Sequence, residues 1–227
     1  MQRVVTPELL DRDAGTAREV QASLRDLRMV NRWFGGARTT LHLLRRVTQR
    51  CGFAQLRWLD VGGASGDVAA LVEKSMAAAG VESQATILDR VPTHLNGAHP
   101  SVCADALALP FADNSFDVVA SSLFVHHLEP EELAMFIREA LRVARHALVI
   151  NDLVRHPAHL ALVYAGYPLY RSRLTRHDSV ASVRRAYTVD EMKAMLERAG
   201  TAESEIGRSF LFRMGAIVWK QQQLSTT

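Results

Sequence analysis

Over residues 56–151 the chain alternates short apolar runs with longer amphipathic ones, and nothing else in it narrows the fold as far. The runs are LRWLDV (56–61), ATIL (85–88), SVCA before Asp105, FDVVASSL (116–123) and HALVIN (146–151). Between them, residues 67–79 and 131–144 place apolar side chains at helical spacing. Near-continuous apolar runs are what parallel strands buried on both faces require, and the amphipathic stretches supply the helices that cover them. The rhythm predicts an α/β protein with a doubly wound, mostly parallel sheet.

The flanks add to this frame. Residues 6–47 carry Leu24, Leu27, Val30, Phe34, Leu41, Leu44 and Val47 mostly three or four apart, broken at Gly35 and Gly36, which predicts a pair of N-terminal helices. We expect residues 1–50 to form a helical cap and residues 51–227 the main domain. Residues 153–186, rich in Arg, His and Tyr, interrupt the rhythm and read as a helical lid. A capping box at Thr188 and Glu191 then opens an ordinary helix with Gly200 at its C-terminus. SFLFRMGAIVWK predicts one or two closing strands at an antiparallel edge.

Composition excludes several classes. With 227 residues, 48% hydrophobic and 22% charged, the chain resembles a packed globular protein. The net charge of +3 is dispersed, and no Asn-Pro-Pro-Tyr-like motif or basic stripe points to nucleic acid. No run is long enough to span a membrane and no leader is evident, so a cytoplasmic protein is expected, as monomer or homodimer. Cys51 and Cys103 lack metal-ligand spacing and read as reduced, part-buried thiols; no metal is expected.

The chemistry begins at DVGGASGD, Asp60 to Asp67, a glycine turn between a strand and a helix. Such a turn lets a nucleotide-like ligand approach the main chain. A dinucleotide fingerprint from Gly62 would place its further glycines where Ala64 and Asp67 stand. Asp67 would also set a carboxylate where a pyrophosphate lies on the helix N-terminus. A phosphate-free ligand carrying an ammonium and a sulfonium is compatible with these acids. Asp89 stands after the second run, where the fold presents a carboxylate to ribose hydroxyls.

DVGGASG, ILD, ADALALPFADNSFDVVASS and HHL, in this order, resemble the motif series of class I S-adenosyl-L-methionine (SAM)-dependent methyltransferases over about residues 55–150. The resemblance implies a Rossmann-like seven-stranded sheet, SAM as cofactor and S-adenosyl-L-homocysteine as its product. It assigns Asp60, Gly62 and Gly66 to the methionine pocket and Asp89 to the ribose, with Gly63 and Arg90 as further cofactor-binding residues. Asp105 and Ala106 would meet the adenine edge, and Ser121 would lie beside the methionine tail. Ala64 departs from the commonest DxGxGxG pattern.

Methyl transfer from a sulfonium is an in-line displacement, so alignment supplies most of the rate and a base adds to it. His126 in VHHLEPEEL matches the base of small-molecule O-methyltransferases, with His127 where they carry Asp. The segment RHD followed by SVRRAY resembles methyltransferases of the ubiquinone-biosynthesis type, which act on phenolic or polyketide products, and this makes His177 and Asp178 further candidates for substrate contact or base. The expectation is a methyltransferase of secondary metabolism acting on a small-molecule hydroxyl. The alternatives are a NAD-dependent oxidoreductase and a non-catalytic SAM-binding partner subunit.

Overall fold

The structure is a computed structural model, and it describes residues 1–12, 14–95, 97–201 and 203–221. Seven strands form one sheet: β1 (Gln55–Val61), β2 (Glu82–Asp89), β3 (Ser101–Cys103), β4 (Phe116–Ser122), β5 (Ala144–Leu153), β6 (Glu203–Ser209) and β7 (Arg213–Trp219). Their order is β3-β2-β1-β4-β5-β7-β6. β1 to β5 pair in parallel, and β7 runs antiparallel to both β5 and β6. The doubly wound sheet and its antiparallel edge are therefore as expected. Strand order reverses between β1 and β4, which is the switch point where such sheets open a crevice at their carboxyl ends.

Among the described residues seven α-helices accompany the strands: α1 (Ala17–Trp33), α2 (Gly36–Cys51), α3 (Asp67–Ala77), α4 (Pro130–Val143), α5 (Pro157–Ala165), α6 (Arg173–Arg185) and α7 (Val189–Arg198). Side chains alternate across each strand, so every central strand feeds two cores. Leu56, Trp58, Val118, Ala120, Ala147 and Val149 pack with α2 and α3 on one face. Leu59, Val61, Val119, Leu148 and Ile150 pack with α4 and α7 on the other. Thr16 and Thr188 both form complete capping boxes, with Glu19 and Glu191 respectively.

The boundary expected after residue 50 falls inside α2. Leu43, Leu44 and Val47 of that helix are buried against the sheet, so α2 is part of the main core and only α1 stands apart from it. The lid is two helices, α5 and α6, with α6 packed on α1. Cys51 is half-buried as expected, whereas Cys103 is exposed; both thiols are free. Among the described residues no helix is long and apolar enough to cross a membrane.

Candidate active site

A cavity of about 820 Å³ opens at the carboxyl ends of β1, β2 and β4, roofed by α1, α5, α6 and the N-terminal segment. Its floor is the glycine turn. Gly62 and Gly66 have φ of +72° and +69°, and Ala64 between them is also left-handed at +44°. A Cβ on Gly63 would lie 2.9 Å from Ile87 Cγ2 and 3.0 Å from Asp60 Oδ2, so the backbone there comes closer to its neighbours than any other residue allows.

Asp60 is fully buried, and neither carboxylate oxygen has a hydrogen-bond partner. Burial, with Asp67 and Asp89 adding repulsion, pushes its pKa up to about 8. A buried carboxylate with no donor is costly to keep ionised; it suits a site that receives a cation from a ligand. Asp89 ends β2 and accepts from Ala64 N–H (3.1 Å) and Val91 N–H (2.9 Å). These bonds brace the turn and leave acceptor capacity on each oxygen. Asp67 opens α3 and accepts from Asn31 Nδ2 (3.1 Å) and Ser65 Oγ (3.1 Å), which ties α1 to the turn.

The other expected cofactor contacts separate. Gly62, Gly63, Asp89, Arg90, Asp105 and Ala106 all line the cavity. Asp105 bonds its own loop through Leu107 N–H (2.9 Å), an Asx-type turn. Gly66 sets the start of α3 from just behind the wall. Ser121 is also behind it, buried and without a hydrogen-bond partner, while Ser122 and Leu123 take the wall positions. Leu123 is a non-glycine residue at φ +56°, which turns the chain sharply as it leaves β4.

At the opposite end, charged side chains gather around His126. Its Nδ1 lies 2.7 Å from Asp152 Oδ1 and its Nε2 3.4 Å from Glu8 Oε1. Burial opposes charging this ring, but Asp152 and Glu8 outweigh it and raise the pKa to about 10. Glu8 is itself held low by the two histidines against its burial. With no ligand bound, the carboxylates of Asp152 and Glu8 favour the charged form of the ring expected as the base. His127 Nδ1 lies 2.8 Å from Asp11 Oδ2, and its Nε2 is 3.6 Å from Glu8 Oε1.

His177 and Asp178 are separated by the structure. The His177 ring is exposed and not in the cavity wall. Asp178 lines the cavity, but its carboxylate accepts Leu9 N–H (2.8 Å) and Leu10 N–H (3.0 Å), so it anchors the N-terminal segment. Of the lid tyrosines only Tyr170 reaches the wall, where Leu24, Leu27, Phe34, Leu162 and Leu211 make an apolar chamber. Glu8, Asp11 and Arg213 are wall residues that sequence reasoning missed. Glu8 and Asp11 stand before Leu24, the first apolar residue of the N-terminal helical spacing, and carry no signal. Asp152, at the carboxyl end of β5, did carry a positional one.

Residues 59–147 match the family model described as a methyltransferase domain. Among solved structures, the chain is similar to the plantazolicin methyltransferase BpumL in complex with SAH, at TM-score 0.66 and 14% identity over 94% of each chain. A SAM-dependent methyltransferase from Aquifex aeolicus aligns at TM-score 0.52 and 19% identity, over 77% of this chain and 88% of that one. Human N-acetylserotonin methyltransferase in complex with SAM aligns at TM-score 0.59 and 13% identity, over 88% of this chain and 55% of that one. No curated protein matches the chain.

Proposed function

From a chain that carries a methyltransferase domain within the class I methyltransferase fold, we propose a SAM-dependent enzyme that methylates the hydroxyl of a small phenolic or polyketide-type metabolite. The observation that carries the cofactor reading is Asp60: a fully buried carboxylate, with no protein donor, beside a glycine turn at the sheet's switch point. It fits a ligand that brings its own positive charge. Asp60 with Gly62 and Gly63 would hold the methionine portion, Asp89 and Arg90 the ribose, and Asp105 with Ala106 the adenine. SAM supplies an electrophilic methyl group on a sulfonium.

The chain's own residues align the reactants and exclude water. With SAM bound, the cavity would hold the acceptor oxygen in line with the methyl carbon and sulfur, the oxygen taking the methyl as the C–S pair goes to sulfur and the acceptor's proton goes to solvent. Alignment of this kind can be worth effective molarities of about 10⁵–10⁸ M, so the reading does not depend on a base at His126. The apolar chamber under α1 and α5 supports an acceptor with an aromatic or extended apolar body.

Calorimetry and turnover test this together. SAM and S-adenosyl-L-homocysteine should bind and NAD should not, and a phenolic panel should yield S-adenosyl-L-homocysteine with a methyl ether. Preference for NAD would replace the cofactor reading, and binding without turnover on any acceptor would favour a non-catalytic partner subunit. Asp89→Asn should weaken SAM by about 10-fold or more, the loss of a charge-assisted hydrogen bond worth roughly 1.5–3 kcal/mol. Unchanged affinity would remove the ribose assignment.

A further inference from the structure

We propose that Glu8, His126 and His127 form a binding site for one divalent transition-metal ion of the zinc class at the acceptor end of the cavity. Both imidazoles are turned the same way. Each presents Nδ1 to a carboxylate, His126 to Asp152 at 2.7 Å and His127 to Asp11 at 2.8 Å, and each leaves Nε2 facing Glu8. From Glu8 Oε1 the two Nε2 atoms lie at 3.4 and 3.6 Å, and the three atoms all lie within 4.8 Å of one another. Ligands around a tetrahedral zinc, at bond lengths near 2.0–2.1 Å, are spaced by about 3.3 Å, so little movement is needed to close on an ion.

Two further observations point to a ligand. His126 is 2% exposed, and its Nε2, 3.4 Å from Glu8 Oε1, makes no hydrogen bond of good geometry, which leaves a buried nitrogen open to a ligand. The outer contacts are those that ligating residues use: each histidine is oriented by a carboxylate through its other nitrogen, and Glu8 Oε1 is met by Ser182 Oγ at 2.6 Å. The charge balance agrees. Glu8, Asp11 and Asp152 bring three carboxylates to two imidazoles, and a dication offsets two of them.

Three protein ligands leave one position of a tetrahedral ion to water or to an acceptor oxygen. The ion's use in catalysis, as a Lewis acid lowering the pKa of the acceptor hydroxyl, rests on the methyl-transfer reading; the site itself does not. The full chain, stripped with a chelator, is titrated with Co²⁺ and then Zn²⁺, with SAM affinity measured in parallel. Expected are one Co²⁺ per chain with a tetrahedral visible spectrum, its displacement by Zn²⁺, and binding at least about 10-fold weaker in His127→Gln and Glu8→Gln with SAM affinity unchanged. Zinc-edge X-ray absorption of the unaltered protein, expected to show two imidazole nitrogens, needs no variant to fold. No saturable binding, equal binding in the variants, or a spectrum without imidazole overturns the site. A protein that binds zinc but not SAM would keep the site and remove the methyl-transfer reading.

Discussion

At the scale of single residues, the site is organised by groups placed against their own preference. Asp60 is the clearest. Its folded pKa of about 8 stands well above the usual carboxylate range, so the folded protein binds an extra proton between the two. Its contribution to ligand-free stability is present below about pH 4 and lost as pH rises through about 8. Asp60→Asn should therefore raise the melting temperature of the ligand-free protein at pH 8 more than at pH 5, while weakening SAM. Equal melting shifts at the two pH values would show that Asp60 is ionised in the empty protein. Ala64 and Gly63 make a contrasting pair. Ala64 already holds a left-handed φ, so Ala64→Gly should change stability by no more than about 1 kcal/mol and keep SAM binding. Gly63→Ala would force a methyl to within 2.9–3.0 Å of Ile87 and Asp60, and should lower both stability and SAM affinity. Thermal melts and calorimetry on the two variants check this.

At the scale of elements, the roof of the cavity is held by backbone donors converging on buried carboxylates. Asp26, 1% exposed on α1, accepts Arg171 N–H (2.8 Å), Ser172 N–H (3.0 Å) and Thr175 Oγ–H (2.9 Å), which fixes the start of α6. Asp26→Ala leaves those donors buried without an acceptor, at about 1–3 kcal/mol for each one left unsatisfied. The lid should then open locally before the sheet does. Limited proteolysis should cut within 166–172 in the variant and not in the parent; unchanged protection would mean that α6 is held by packing alone. The same logic explains why α1 could be recognised as a helix from its spacing but not placed. Its apolar stripe fits any partner, whereas the Asn31–Asp67 and Asp26–Ser172 bonds, which select α3 and α6, join positions far apart in the chain.

For the whole molecule, the first twelve residues matter more than their irregular backbone suggests. Arg3 bonds Glu129 and the Leu128 and Arg185 carbonyls, Val4 N–H reaches Arg184 O (3.0 Å), and Leu9 and Leu10 hang from Asp178. This strap carries Val5, Pro7, Glu8 and Leu10 into the cavity wall, and Leu10 belongs to the apolar cluster that packs against Ala64 of the glycine turn. Removing residues 1–12 should leave SAM affinity within a few-fold and lower turnover at least 10-fold, since water enters the acceptor chamber and Glu8 is lost. Calorimetry against turnover on the truncated protein separates the two ends. A parallel loss of SAM binding would show that the strap also supports the cofactor half.

Local pattern alone determined the parallel strands of the sheet and β7, the glycine turn and the acids at the ends of β1 and β2, while β6 lies just ahead of the segment read as closing strands. Strand burial on both faces, left-handed turns and helix caps are written within a few residues of where they act. Only the tertiary structure decided that α2 belongs to the main core, that His177 faces outward while Asp178 clamps the strap, and that Ser122 rather than Ser121 meets the cavity. It alone brought Glu8, Asp11 and Asp152 to the two histidines. The reason is physical: the protonation and ligand-binding capacity of His126 depend on charges within a few ångströms, and Glu8 and Asp152 reach it from more than a hundred residues before it and about twenty-five after it, where no sequence spacing records their approach.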